Sequence, residues 1–515
     1  MVGTGKQKAE YGDFQTPMVL AQAVCARLAH RALQPATLLE PTCGIGNFLL
    51  AGLDQFQTVG AAIGVEINPA HVQRASQALH QRQDAHKTRL MQADFFATDW
   101  KRLIGDLAEP ILVLGNPPWV TNSELGTLGS RNLPVKSNFQ KHDGLDALTG
   151  KANFDISEWM LIRLVEALNH RRATLAMLCK AATARKVLCY AWRNGMAVER
   201  SVIYGIDAER HFDAAVDAVF LIADFRPGAA DRQARVYRDL TEANEPKIIG
   251  YEDGILLADI SAYHRWRHLC GTETFQWRSG IKHDCAKVME LRREGGKYRN
   301  GLGQIVELEN TFVYPMLKSS GLGKAQQGPS NRVMLVPQRR VSEDTAHIEH
   351  EAPKTWRYLQ SHADRLCGRA SSIYRDRPCF AIFGVGDYSF APWKVAISGF
   401  YKRLIFAPVG PVEGRPVVFD DTSYFVPCET SEQALFLASL LNSPPAQSFY
   451  EAFIFWDSKR PITAELLRRL DVRRLAGELG AEEKFLGYFD SPKGDGKDGG
   501  VGKRKRDAQL PLWVT

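Results

Sequence analysis

The chain has 515 residues, of which 45% are apolar and 24% charged, the balance of an ordinary folded protein with room for two or three domains. A net charge of +7 and a pI near 8.8 permit a polyanionic partner without requiring one. Nine scattered cysteines with no C-x-x-C pair argue against a structural zinc site and a disulfide framework. No apolar run is long enough to cross a bilayer and the first residues lack a signal peptide's apolar stretch, so the expected compartment is the cytoplasm.

From about residue 11 to about 245, strand-like and helix-like segments alternate, the pattern of a doubly wound, Rossmann-like α/β sheet. The segment Leu38-Leu39-Glu40-Pro41-Thr42-Cys43-Gly44-Ile45-Gly46-Asn47-Phe48 predicts a strand, a glycine turn and a helix start. Gly44 and Gly46 let the backbone approach a ligand where such sheets bind them, at the carboxyl ends of strands. Cys43 reads as a small packing residue. The next strand, Gly64-Val65-Glu66-Ile67-Asn68, carries an acid about twenty residues on, the spacing of a ribose-binding carboxylate. Ala93-Asp94-Phe95-Phe96 repeats the apolar-to-acidic step. Each acid alone also reads as a helix cap or a solvated loop. With a fourth polar strand end they outline one crevice along a sheet rim.

That fourth end is Asn116-Pro117-Pro118-Trp119, after the apolar Ile111-Leu112-Val113-Leu114-Gly115. The Asn116 side-chain oxygen and the Pro117 carbonyl can each accept one N–H of an exocyclic amine. The prolines have no N–H to compete and fix the backbone, and Trp119 offers a face for a flat base. The competing structural reading is a Pro-Pro turn with a buried Trp.

The polar, glycine-interrupted stretch from Trp119 to Phe154 contains Arg131, Lys136, Lys141 and Lys151 and reads as a functional or mobile loop. Ile156, Trp159, Met160, Leu164, Val165 and Leu168 fall at helical spacing and predict a core-facing stripe. Thr174–Cys179 reads as the next strand, with Lys180 at its end more readily solvated than bound. After about residue 245 short strands and turns dominate, among them Arg278–Lys282, Arg332–Pro337 and Arg403–Pro408. Lys394–Arg403, and Trp277-Arg278 with Lys282-His283, interleave basic and aromatic residues, as DNA-contacting segments do; taken singly, each cation reads more readily as solvated and the aromatics as core. Glu432–Leu441 predicts a helix that stops at Asn442-Ser443-Pro444-Pro445. From about 486 a Gly-, Lys- and Asp-rich stretch predicts a flexible tail with the basic run Lys503-Arg504-Lys505-Arg506. The boundaries expected are therefore 1–245, 246–485 and 486–515.

The first half of the chain resembles the gamma-class, TaqI-type N6-adenine DNA methyltransferases of restriction–modification and related defence systems. Phe14-Gln15-Thr16-Pro17 matches the family's leading cofactor segment. The glycine turn, Glu66, Asp94-Phe95 and Asn116–Trp119 follow in the family's order, and His211-Phe212-Asp213 matches its late aromatic motif. The family more often has tyrosine where Trp119 stands, so any hydroxyl role is lost. The resemblance implies S-adenosyl-L-methionine held by Thr16, Glu40, Pro41, Gly44, Gly46, Glu66, Asp94 and Phe95. It implies a flipped adenine in double-stranded DNA, clasped by Asn116, Pro117, Pro118, Trp119 and Phe212, and no metal. It makes residues 246–485 a mixed α/β target-recognition domain. The rival readings are a methyltransferase of RNA or protein, or a noncatalytic DNA-binding subunit. No nuclease segment is evident, which places any restriction endonuclease on a separate chain. The closing Gln509-Leu510-Pro511-Leu512-Trp513 resembles motifs that dock on the bacterial sliding clamp, adding the clamp as an expected partner through Gln509, Leu510, Leu512 and Trp513.

Overall fold

A computed structural model of the chain describes residues 15–120, 155–271, 275–322 and 331–490. Phe14, the basic residues expected between Trp119 and Phe154, and the tail with its Gln509–Trp513 motif lie outside the described residues. The chain forms two compact units, one reaching Ile260 and the other starting at Ser261.

The first unit is built on strands β1 (Thr37–Glu40), β2 (Ala61–Glu66), β3 (Thr88–Gln92), β4 (Ile111–Gly115), β5 (Ala173–Lys180), β6 (Val198–Ile206), β7 (Ala218–Phe225), β8 (Gln233–Tyr237), β9 (Lys247–Glu252) and β10 (Ile255–Leu257). They form one sheet in the order β3-β2-β1-β4-β5-β7-β6-β8-β9-β10. The run from β3 to β5 is parallel, and β7 is antiparallel to both neighbours. The sheet therefore continues through β9 and β10, beyond the boundary expected near residue 245. Helices α1 (Met18–Ala29), α2 (Asn47–Gln55), α3 (Pro69–His80), α4 (Trp100–Gly105), α5 (Ile156–Leu168), α6 (Ala181–Arg193) and α7 (Ala208–Phe212) accompany it. β1 and β4 are buried along their whole length, as parallel strands covered on both faces must be. Leu20, Val24 and Leu28 of α1 pack with Phe48 of α2, Leu112, Leu114 and Phe220. In α5 the expected stripe is buried at Ile156, Met160, Leu164, Val165 and Leu168.

β1 has β2 on one side and β4 on the other. Strand order reverses at that point, and a crevice opens outside the carboxyl ends there. The Gly44 turn leaves β1 and Asn116 leaves β4, so the topology brings both to one crevice.

The second unit contains a four-stranded and a six-stranded sheet, with separate apolar clusters around Leu437 and Val333. The helix Ser431–Leu441 ends at Asn442 as expected, but Pro444 and Pro445 then open a second helix, Pro444–Glu451. A proline stop signal is also a good first-turn residue. Arg403–Phe406 is not a strand; pairing begins at Ala407. Asn442 takes the place of a neighbouring strand, accepting from Phe406 N–H at 3.0 Å and donating to its carbonyl at 2.7 Å. The helix Glu482–Phe489 runs across the boundary expected at 485/486, because Phe485 and Phe489 pack on Phe275. Cys367 and Cys379 form a disulfide. Among the described residues no helix is long and apolar enough to cross a membrane.

Lys394, which reads in sequence as a solvated cation, is instead 1% exposed, and its Nζ donates to the Ala391 carbonyl. Burial lowers its pKa from 10.5 to about 7. A depressed folded-state pKa makes the residue's contribution most favourable above pH 10.5; it declines as the pH falls and is fully lost below about 7. Lys394→Met should therefore raise stability at neutral pH by a few kcal/mol and flatten the rise of stability between these two values, measured by urea unfolding across that range.

Candidate active site

A cleft lies at the switch point, where open α/β sheets bind their ligands. Thr16, Glu40, Pro41, Gly44, Glu66, Asp94, Phe95, Asn116 and Pro118 all line it. Gly46, Pro117, Trp119 and Phe212 do not touch this cleft.

The glycine turn works through positive φ, +51° at Gly44 and +84° at Gly46, which favours glycine. A Cβ on Gly44 would also meet Gln15 Oε1 at 2.4 Å. Gln15 Oε1 accepts from Ile45 N–H at 3.2 Å, and Asn47 donates to the Thr16 carbonyl at 2.8 Å. The segment ahead of α1 is thereby tied to the turn. Glu66 has a structural duty as well: its carboxylate accepts from Gly44 N–H at 2.9 Å and from Asn68 N–H at 2.8 Å. Carboxylate oxygens have further acceptor capacity, so this locks the turn without using the group up. Asn68 caps α3 ahead of Pro69, a signature that sequence reading left without a role. Glu40 is 3% exposed and accepts from Leu49 N–H at the start of α2. Burial, then the neighbouring Glu66, pushes its pKa well up, against the bond from Leu49. Asp94 accepts from Phe96 N–H at 2.8 Å. Phe95 packs on Trp100 with centroids 4.5 Å apart, while Phe96 meets Trp159 at 5.1 Å.

At the β4 end, the Asn116 amide nitrogen donates to Thr16 Oγ at 3.2 Å, which orients the amide. Trp119 is 7% exposed and meets Phe212 edge-to-face at 5.1 Å. Both belong to the core cluster, so the structural reading of Trp119 as a buried ring holds in this state. Its indole N–H is buried with no partner among the described residues. Lys180 is not a solvated lysine: its Nζ pairs with Asp155 at 2.7 Å and donates to the Trp119 carbonyl at 3.0 Å. Asp155 in turn caps α5. The lysine thus ties the Asn116–Trp119 segment to the end of β5. Sequence gave no sign of this, because the partners are distant in the chain. Lys180→Met should lower single-turnover methyl transfer about 10- to 100-fold, as positioning losses do, without changing cofactor affinity. Lys180→Arg should recover part of the rate.

Comparison with known proteins fits this geometry. No family model matches the chain. It is 43% identical over 472 residues to the type II methyltransferase M.NspV of Nostoc sp., covering 92% of this chain and 98% of that protein. The chain belongs to the type II methyltransferases. The type II methyltransferase M.CvrRI of Paramecium bursaria Chlorella virus XZ-6E is 29% identical over 116 residues, 22% of this chain and 26% of that protein. Among solved structures, the type IIL restriction-modification enzyme MmeI in complex with DNA superposes with a TM-score of 0.52 at 13% identity, covering 95% of this chain and 70% of that one. At that identity the likeness shows the fold alone.

S-adenosyl-L-methionine is the cofactor of this methyltransferase. The cleft fits it: the Thr42 hydroxyl on its wall is buried with no hydrogen-bond partner among the described residues, and Glu66 and Asp94 offer acceptors.

Proposed function

We propose that this methyltransferase is a gamma-class enzyme that methylates the exocyclic N6 amine of adenine, extruded from duplex DNA, at a specific site. The observation that carries the reading is Asn116 on the wall of the cofactor cleft, its amide nitrogen anchored on Thr16. An amide held by its NH₂ group presents its oxygen as the remaining acceptor. Asn116 and the Pro117 carbonyl accept the two hydrogens of the adenine amine and draw its nitrogen out of conjugation. When bound, the cofactor supplies a methyl group on a positively charged sulfonium. Acceleration comes from positioning and fixed dipoles. Glu66 accepts from the cofactor's ribose hydroxyls and Asp94 from its adenine amine. Phe95 packs on that ring, and Thr16 with Glu40, Pro41 and the Gly44–Gly46 turn holds the methionine end. The adenine leaves the helix to enter the site. Trp119 and Phe212, paired in the core, open a face to it, and Pro118 borders the passage. The second unit reads the target sequence.

The experiment is the partition of label. Protein incubated with methyl-labelled cofactor and a mixture of DNA, RNA and protein should put the label into DNA. Label confined to RNA or protein would overturn the proposal.

A further inference from the structure

The basic and aromatic run Lys394–Arg403 divides in the fold. Lys394 is buried in the strand Trp393–Ser398, whereas the residues after Ser398 leave the four-stranded sheet and rejoin it at Ala407. Both ends of this loop are anchored. The Ser398 hydroxyl accepts from the N–H groups of Phe400 and Tyr401 at 3.2 and 3.1 Å, and Gly399 N–H donates to the Thr422 carbonyl at 2.9 Å. At the other end Leu404 and Phe406 are buried in the apolar cluster around Leu437. Between the anchors the tip faces water: Phe400 and Tyr401 are 40% and 38% exposed, and Lys402 and Arg403 are exposed.

Aromatic rings left in water forgo the free energy of burial, and a connecting turn is ordinarily polar. One ring is braced. The Arg460 guanidinium lies 4.8 Å from the centre of Phe400 and donates to the Asp421 carbonyl at 3.4 Å. The Tyr401 ring and hydroxyl have no partner among the described residues, and neither do the side-chain cations of Lys402 and Arg403. An open aromatic face beside two uncommitted cations matches a ligand made of flat rings and regularly spaced anions, which is a nucleic acid. A second copy of this chain fits the tip less well, because a two-fold contact brings the same patch of both subunits together and sets cations against cations.

We propose that the 399–405 loop enters the DNA, with Tyr401 stacked on a base where the duplex is opened and Lys402 and Arg403 on the flanking phosphates. The assignment rests on DNA as the substrate and names the segment of the second unit that grips it. Inserted side chains of this kind unstack a base step and need a firm base behind them, which the Ser398, Leu404 and Phe406 anchors supply.

The test uses the full chain and a fluorescein-labelled, mixed-sequence DNA duplex, with binding followed by anisotropy at several salt concentrations. Tyr401→Ala should weaken binding about 10-fold and keep the wild-type salt slope, because stacking releases no counterions. Tyr401→Phe should bind like the wild type. Lys402→Ala and Arg403→Ala combined in one chain should lower the slope by about two. All three variants should melt like the wild type, since the altered side chains are exposed. Wild-type affinity in Tyr401→Ala, or a wild-type slope in the double cation variant, would overturn the assignment even if the enzyme methylates DNA. So would a wild-type dimer that Tyr401→Ala dissociates with DNA affinity unchanged, for the tip would then serve a second copy. Conversely, the expected pattern in a protein that transfers methyl only to RNA or protein would defeat the proposed function and leave the DNA contact standing.

Discussion

Asn116→Ala should lower methyl transfer by about a thousandfold or more while changing cofactor affinity less than about threefold. The direction follows from geometry. Asn116 ends β4 on the cleft wall, and its amide is oriented by Thr16. Removing the side chain deletes one of two proposed acceptors for the target amine. Loss of one preorganised polar group at a reacting centre typically costs a factor of 10² to 10³. Here it also frees the amine to rotate, which adds to the loss. The cofactor cleft loses one wall atom group but keeps the glycine turn and Glu66. Single-turnover transfer, with cofactor binding measured by calorimetry, separates the two effects. A variant that turns over like wild type would remove Asn116 from the chemistry. Equal loss of turnover and cofactor affinity would move it into the cofactor site.

Glu66→Ala should have the opposite signature, weakening cofactor binding about 100-fold, equivalent to about 2.7 kcal/mol. Two consequences combine. The proposed ribose acceptor is gone, and the N–H groups of Gly44 and Asn68 lose the carboxylate that holds them. Hydrogen bonds to a charged group contribute about 1.5–3 kcal/mol each. Some of that loss should appear as a fall of about 1–3 kcal/mol in folding stability, because the turn between β1 and α2 loosens. Glu66→Gln retains one acceptor oxygen and should fall between. Calorimetric titration with S-adenosylmethionine and urea unfolding of the same variants read both terms. Undiminished affinity in Glu66→Ala would show that the carboxylate serves only the turn.

The reach of the sequence can be judged residue by residue. Strand ends were legible because each joins an apolar run to a polar residue. Parallel strands then bring Glu40, Glu66, Asp94 and Asn116 to one rim. Gly44 was legible because its φ excludes most side chains. Other features depend on contacts that spacing does not encode. Glu66 serves the backbone of the turn as well as facing the cleft. Trp119 looks like an open stacking face in sequence but packs on Phe212, far along the chain. Lys180 reads as a solvated strand end until Asp155 and the Trp119 carbonyl are beside it. Lys394 sits in a run of basic and aromatic residues, yet its place in a central strand buries it.

The two-acceptor clasp is most directly tested by the chemical identity of the modified base. DNA treated with the enzyme and S-adenosylmethionine, digested to nucleosides and resolved by mass spectrometry, should contain N6-methyladenine, and none after treatment with Asn116→Ala. Methylation on a ring carbon, or N6-methyladenine formed undiminished by Asn116→Ala, would contradict the account.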